Sequence, residues 1–143
     1  MDNKPPKKVV TNDASIDNAE TKLGVKYPQI LRDKLKEHNG FTWGFFERFY
    51  PVFDEEDKFH TFDDVVRENE NPNGWKRALP EGFVAIADDG GGYALVLSTN
   101  KDGKVYHYNN DTGDVTLFAE NDEELKKKLD EQDMEMEKIK SED

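Results

Sequence analysis

The chain has 143 residues and a formal net charge of −12, with 36% charged and 11% aromatic side chains. That length suits a single domain, and the excess of acidic groups disfavours direct binding to nucleic acid or to an anionic membrane surface. The absence of cysteine excludes disulfides and thiol chemistry. No apolar run is long enough for a membrane span or a secretory signal, so we expect a cytoplasmic protein.

Charge and proline content divide the chain into three predicted parts. Residues 1–12 contain two adjacent prolines and are expected to form a flexible basic arm. Residues 13–130 are expected to form one domain, and residues 131–143 an acidic helix end or tail. The segment 1–13 carries a net charge of +1 and the segment 120–143 carries −6, which leaves −7 for the residues between them. Such a body attracts basic partners over ~8–10 Å, although the same charge also serves to keep a protein soluble.

Two helices are predicted at the start of the domain. The first covers about 15–23 and ends at Gly24, because glycine adopts a left-handed C-cap without steric strain. The second begins at Pro28, whose missing N–H is harmless in the first helical turn, and we expect Asn39 and Gly40 to close it as Gly24 closes the first. Because the connection is short, the two helices should pack as an antiparallel hairpin.

The middle of the chain is rich in aromatic and acidic residues. An aromatic run covers 41–46, and a strand is predicted at 49–53, whose proline favours a sheet edge. The acidic run 54–57 follows. Thr61 with Asp64 then predicts a capping box for a short helix. The apolar side of that helix would consist of Phe62, Val65 and Val66.

From Phe83 onward the hydrophobic period changes from 3.6 to 2, which predicts β-strands. Short connections that contain glycine should link these strands as antiparallel hairpins. The segment 93–97 is apolar throughout, so its strand should be central and covered on both faces. The four predicted strands cover 83–87, 93–98, 104–108 and 115–118.

The last predicted element is a helix capped by Asn121 with Glu124. Leu125 and Leu129 recur at a spacing of four and should dock this helix on the domain. Beyond them the apolar seam is thin and the sequence strongly acidic, so we expect the helix to fray.

Five features follow one another in this chain. They are a helix, the motif Leu-Gly-x-x-x-Pro at 23–28, a second helix, Asn-Gly at 39–40, and a meander entered through a Gly-rich acidic turn. This order resembles the SUKH superfamily, the Smi/Knr-type domain, over about residues 14–130. The chain departs from the family at Ser98 and Thr99, in a region that is often acidic there. The matching positions are Ala19, Glu20, Leu23, Gly24, Pro28, Leu31, Leu35, Asn39, Gly40, Phe83, Ala85, Ile86, Asp89, Gly90, Gly91, 93–97 and 118–129.

The resemblance implies an α+β fold, with helices packed mainly on one face of an antiparallel sheet of about five strands. It also implies binding rather than catalysis. Bacterial members are commonly immunity proteins that neutralise the toxin encoded beside them, often a nuclease, and a fungal relative regulates cell-wall synthesis. We therefore expect an immunity protein, or antitoxin, of the bacterial branch. The alternative is a non-enzymatic interaction module in cell-envelope or stress regulation.

The residues themselves predict no catalytic, cofactor or metal site. His38, His60 and His107 lack the spacing of metal ligands, and the serines lack the setting of a nucleophile. The loop 88–92 begins with two carboxylates, which repel phosphate and favour a hairpin turn over a phosphate cradle. The loop 109–114 lacks the twelve-residue frame of a calcium site. We expect no small-molecule substrate and no direct contact with nucleic acid or membrane.

The residues after Gly40 provide a candidate partner-binding surface. The acidic run 54–57 is either a solvated loop or a negative patch that meets a basic toxin as a phosphate mimic. The aromatic run 41–46 and Trp75 are either core or interface anchors. The functional alternative places ten residues against a basic toxin, with a nuclease as the preferred target: Trp43, Phe45, Phe46, Asp54, Glu55, Glu56, Asp57, Trp75, Asp88 and Asp89.

Overall fold

A six-stranded antiparallel sheet forms the centre of the computed structural model, which describes residues 9–141. Each strand pairs with its neighbours in sequence, so the spatial order is the chain order. The α+β class is thus confirmed, with six strands rather than about five, and the four strands expected from Phe83 onward are placed within one residue. The strands are β1 (Phe41–Trp43), β2 (Phe46–Phe49), β3 (Phe83–Asp88), β4 (Ala94–Ser98), β5 (Val105–Asn109) and β6 (Asp114–Ala119).

Six α-helices accompany the sheet in the described part of the chain, and none of them is long and apolar enough to cross a membrane. Most of the expected basic arm, residues 1–12, lies outside the described residues. Near its end, the Val9 carbonyl accepts a hydrogen bond from the Asn39 N–H at 2.7 Å. The helices are α1 (Asp13–Leu23), α2 (Gln29–Glu37), α3 (Lys58–Thr61), α4 (Val65–Glu70), α5 (Trp75–Ala78) and α6 (Asp122–Ser141).

Strand β4 lies inside the sheet and is buried, as its apolar sequence predicts. Residues 94–97 are all buried although alternate side chains point to opposite faces. On the neighbouring strand β5, the Tyr108 ring contacts the Trp75 ring of α5 with 6.0 Å between centroids. The short helix α5 therefore covers the face on which Tyr108 lies.

The Glu20 side chain connects the end of α1 to the start of α2. Gly24 has a φ of 73° and its N–H donates to the Glu20 carbonyl at 2.8 Å, which confirms the expected C-cap. The Glu20 carboxylate accepts hydrogen bonds from the Tyr27 N–H at 2.6 Å and from the Arg32 guanidinium at 2.9 Å. Pro28 is the N-cap of α2, one residue before the helix begins. The motif thus joins two helices.

Asn39 does not cap α2, contrary to expectation. The C-cap is His38, in an extended conformation. Asn39 is buried, and its side-chain amide donates to the Val52 carbonyl at 2.9 Å while its side-chain oxygen accepts from the Val52 N–H at 2.8 Å. Gly40 has the left-handed φ of 86°. The Asn-Gly pair therefore fixes the chain that follows β2 instead of ending the helix.

The prediction of a strand at 49–53 is wrong, because β2 ends at Phe49. The aromatic run instead forms a hairpin of β1 and β2, whose turn contains Gly44 at a φ of 63°. After Phe49 the proline Pro51 has no N–H to donate, and both backbone groups of Val52 bind the asparagine side chain described above. Hydrogen bonding with β3 therefore ends one residue after β2, where the Tyr50 N–H donates to the Ile86 carbonyl at 3.0 Å.

The helix expected to start at Thr61 is α4, which begins only at Val65, because Thr61 belongs to a separate short helix, α3. Thr61 ends α3 and is buried, whereas Asp64 alone caps α4 by accepting a hydrogen bond from the Arg67 N–H at 3.0 Å. Phe62 lies at the break between the helices and is exposed rather than packed. The Asn69 side chain of α4 binds both backbone groups of Ala85 in β3. Its amide donates to the Ala85 carbonyl at 2.7 Å, and its oxygen accepts from the Ala85 N–H at 2.8 Å. Helix α4 therefore covers the part of β3 that β2 leaves unpaired.

Helix α6 begins as predicted and continues further than predicted. The Asn121 side chain accepts a hydrogen bond from the Glu124 N–H at 2.9 Å, and Leu125 and Leu129 are buried. The helix runs on to Ser141, where we expected it to fray. Its polar residues just beyond Leu129 bind β1 and the β1–β2 turn, which holds this part of the helix against the sheet.

Candidate partner-binding surface

The most exposed aromatic side chains of the described residues lie beside the acidic run, in residues 53–62, which we call the acidic–aromatic segment. Phe53 is 48% exposed, Phe59 82% and Phe62 60%. Burial of such a side chain contributes about 1.5–3 kcal/mol, so a group of exposed rings indicates a surface that binds something. Sequence reasoning missed these three because it placed Phe53 in a strand and Phe62 in a helix core and assigned no role to Phe59.

A hydrogen-bonded turn holds the acidic–aromatic segment in shape. The buried Thr61 hydroxyl accepts from the Asp54 N–H at 3.1 Å and donates to the Asp57 carbonyl at 2.8 Å. The Asp54 carboxylate accepts from the Glu56 N–H at 2.9 Å and caps a 3-10 turn over Glu55–Asp57. The segment therefore has a defined backbone although most of its side chains face solvent.

The four acids of the run have different roles. Asp54 caps the turn, and the Asp57 carboxylate lies 2.8 Å from the His60 Nδ1. Glu55 and Glu56 are exposed and make no ion pair within residues 9–141. A cationic partner would therefore meet Glu55 and Glu56 first.

Arg48 of β2 ties the end of the segment to the sheet. Its guanidinium forms an ion pair with Asp63 and lies 3.5 Å from the Glu68 carboxylate. The same group lies over the Tyr50 ring at 5.5 Å from the centroid. Asp63 and Glu68, which follow the segment, are thus paired from within the chain, in contrast to Glu55 and Glu56.

Trp75 and Asp88 are brought together by a structural contact. The Trp75 Nε1–H donates to the Tyr50 hydroxyl at 2.7 Å, and that hydroxyl donates to the Asp88 carboxylate. Burial and the neighbouring carboxylate raise the pKa of Tyr50, so its hydroxyl stays protonated. Trp75 is half-buried by this arrangement, which favours packing over binding for this tryptophan.

The β3–β4 connection is a hairpin turn built on its two carboxylates. Asp88 accepts a hydrogen bond from the Gly90 N–H at 2.9 Å, and Asp89 accepts one from the Gly91 N–H at 2.7 Å and one from the Tyr93 N–H at 3.2 Å. A carboxylate that binds backbone N–H groups is less available to a partner. Both residues therefore have a local structural role in the turn.

Of the three aromatic candidates near β1, only Phe45 is exposed. Trp43 is buried, its Nε1–H donates to the Asp130 carboxylate at 2.9 Å, and Lys34 lies 4.7 Å from its ring centroid. Lys126 and the Trp43 N–H hold the pKa of Asp130 below its usual range. Phe46 is buried against the rings of Phe49, His107 and Phe118. Trp43 and Phe46 are thus core residues and not exposed interface anchors.

Phe45 is 43% exposed on a turn that α6 holds in place. Its N–H donates to the Gln132 side chain at 2.9 Å, and the Gly44 N–H donates to the Asp133 carboxylate at 2.7 Å. A Cβ at Gly44 would lie 2.5 Å from the Gln132 Oε1 atom, so glycine permits this close approach. This turn is a second place where an exposed ring is presented by a fixed backbone.

A cleft of about 620 Å³ lies between α1 and α4, beside the acidic–aromatic segment. Phe53 and Phe62 line it together with charged residues of both signs, among them Lys22, Arg67 and Glu70. Because both acidic and basic side chains line the cleft, it favours neither an anionic nor a cationic ligand. We therefore describe it as part of the surface and not as a defined small-molecule site.

The histidines do not meet in the structure. In the part of the chain from 9 to 141, no group of three or more His, Asp or Glu side chains is arranged to hold a metal ion. His107 lies among aromatic rings, where burial lowers the pKa of its imidazole. His60 lies on α3 and contacts the ring of Phe59.

The six-stranded meander and the helical hairpin define an α+β domain. The chain belongs to the SMI1 / KNR4 family (SUKH-1), whose model matches residues 11–128. This match confirms the resemblance that the motifs at 23–28 and 39–40 indicate. Comparison with curated proteins gives no match.

Proposed function

We propose that this chain is an immunity protein, which neutralises a secreted toxin in the cytoplasm of the producing cell by binding it. The observation that carries the proposal is the acidic–aromatic segment, where exposed phenylalanines lie beside Glu55 and Glu56, whose carboxylates form no ion pair with the residues that the structure describes. Family membership supports the same role. The chain acts by occlusion, and its own residues perform no chemistry.

The proposed binding has two steps. The net charge of −12 first draws a basic toxin toward the domain and raises the association rate. Glu55 and Glu56 then pair with cations of the toxin while the adjacent phenylalanine rings lose their contact with water. A nuclease is the preferred target, because its phosphate-binding cleft is basic and an acidic surface can occupy it.

Co-expression with the toxin encoded next to this chain tests the proposal. The wild-type chain should restore growth and form a complex on gel filtration, and the association rate should fall steeply with added salt. Failure to rescue growth together with the absence of a complex would end the proposal. Binding to an endogenous envelope protein in place of a toxin would support the regulatory alternative.

A charge-reversal pair locates the surface. The double variant Glu55→Lys with Glu56→Lys should slow association roughly tenfold and weaken the rescue. The matched control is Glu135→Lys with Glu137→Lys on α6, because these residues are also exposed and the net charge changes by the same amount. Equal effects of the two double variants would mean that net charge alone acts and that the segment is not the contact.

A further inference from the structure

We infer that Phe59 is the anchor of the interface and that the partner buries its ring in an apolar pocket rimmed by Lys or Arg side chains. The inference rests on the proposed function. Phe59 is 82% exposed, more than the next large apolar side chain of the described residues, Met134 at 63%. An exposed aromatic ring close in sequence to acidic side chains has the composition of an interface hot spot.

The backbone beneath Phe59 is fixed before any partner binds. The ring lies on α3, two residues before Thr61, whose hydroxyl bonds the turn at both Asp54 and Asp57. Phe59 has two rotatable side-chain bonds, so little conformational entropy is lost when its ring is immobilised. A preorganised aromatic side chain of this kind contributes to affinity because little conformational entropy is lost on binding.

His60 supports the ring directly. The imidazole meets the Phe59 ring edge-to-face, with 5.1 Å between centroids and 86° between planes. The His60 Nδ1 in turn lies 2.8 Å from the Asp57 carboxylate, which orients the imidazole. His60 is therefore a positioning residue, which acts through its ring contact with Phe59.

The other two rings of the segment are engaged by the chain's own residues. Phe53 and Phe62 line the cleft between α1 and α4. The Arg67 guanidinium donates to the Phe62 carbonyl at 3.0 Å and lies 5.9 Å from its ring centroid. Phe59 does not line the cleft and is more exposed than either of these rings, which favours it as the anchor.

The charges around Phe59 identify the chemistry of the partner. Glu55 and Glu56 lie on the exposed 3-10 turn directly before α3, and the exposed Lys58 separates this turn from Phe59. A second copy of the chain would bring two such acidic turns together, and a nucleic acid or an anionic membrane would bring phosphate against them. Both arrangements are repulsive. A protein surface with cations around an apolar pocket is the complementary partner.

The test measures the dissociation constant of the full chain with the toxin encoded beside it. Phe59→Ala should weaken binding at least tenfold, mainly through faster dissociation, whereas Phe59→Tyr keeps the ring and should bind within threefold of wild type. Phe45→Ala is the matched control, because Phe45 is also exposed but lies on the β1–β2 turn; it should bind within threefold. The thermal midpoint of Phe59→Ala should equal that of wild type, because the ring packs little in the free protein.

Each outcome decides a different point. Weakening by Phe45→Ala with normal binding by Phe59→Ala would move the anchor to the β1–β2 turn and overturn the inference. Normal binding by Phe59→Ala, together with loss of binding on charge reversal at Glu55 and Glu56, would overturn the inference and leave the immunity role standing. Absence of any complex with the wild-type chain would overturn both.

Discussion

The junction at 20–32 and the acidic–aromatic segment at 53–62 are two charged regions that use their carboxylates in opposite ways. At the junction, Glu20 accepts hydrogen bonds from Tyr27 and Arg32 and is turned inward. In the segment, Glu55 and Glu56 make no ion pair within the described residues and face solvent. Satisfied carboxylates stabilise a fold, whereas exposed unpaired carboxylates are available to a partner.

The difference shows why the pattern that identifies the family does not locate its function. The family motif needs particular residues because it caps helices and bonds backbone groups, and such requirements leave a recognisable sequence. A binding surface needs only exposed rings and charge of one sign, which many sequences supply. Variants in the two regions should therefore separate stability from binding.

The largest effect is expected at the scaffold residue Asn39. Asn39→Ala removes two hydrogen bonds and leaves the buried backbone groups of Val52 unpaired, which should lower the free energy of unfolding by about 3 kcal/mol. Urea unfolding measures this. Asn73→Ala is the control, because Asn73 is exposed in a loop and should change stability by less than about 0.5 kcal/mol. A stability change at Asn39 no larger than that of the control would contradict the role assigned to it.

A smaller loss is expected at the β1–β2 turn. In Gly44→Ala the new Cβ would lie 2.5 Å from the Gln132 side chain and 2.9 Å from that of Leu129, at a φ of 63°. The contacts and the left-handed strain together should destabilise by about 2–3 kcal/mol. Gly103→Ala is matched in conformation, with a φ of 78°, but nothing lies within 4 Å of its Cβ. The control should lose only about 1 kcal/mol, and equal losses would mean that α6 does not press on the turn.

The smallest expected effect is a gain. The Tyr27 hydroxyl is buried without a hydrogen-bond partner in the part of the chain that the structure describes, and burial raises the pKa of its phenol, which keeps it protonated. Tyr27→Phe removes an unsatisfied polar group and should stabilise by about 1 kcal/mol. Thermal unfolding checks the sign. Binding of the toxin should not change, and a destabilised variant would show that the hydroxyl has a partner.

The regular parts of the fold were predictable because short-range rules determine them. Gly24 as a C-cap, Asn121 as a cap of α6 and the strands after Phe83 all follow from local propensity and period. The prediction was wrong where a side chain acts over a long range. Asn39 bonds Val52, thirteen residues away, and this contact is invisible to helix-capping rules.

The candidate surface was only partly predictable for the same reason. The acidic run is visible in the sequence, and its exposed members Glu55 and Glu56 lie where a partner can reach them. Phe59 and Phe62 lie three residues apart, a spacing that suits a buried helix face. Phe62 is exposed because it lies at the break between α3 and α4. The burial of Trp43 depends on Asp130, eighty-seven residues away.

Amide hydrogen exchange of the free chain and of its complex with the neighbouring toxin tests the division between scaffold and surface most directly. Binding should slow exchange in residues 53–63, and the amides of α1 and α2 should exchange at the same rate in both states. Slowed exchange in residues 13–40 with none in 53–63 would contradict the account, because it would place the partner on the family motif and not on the acidic–aromatic segment.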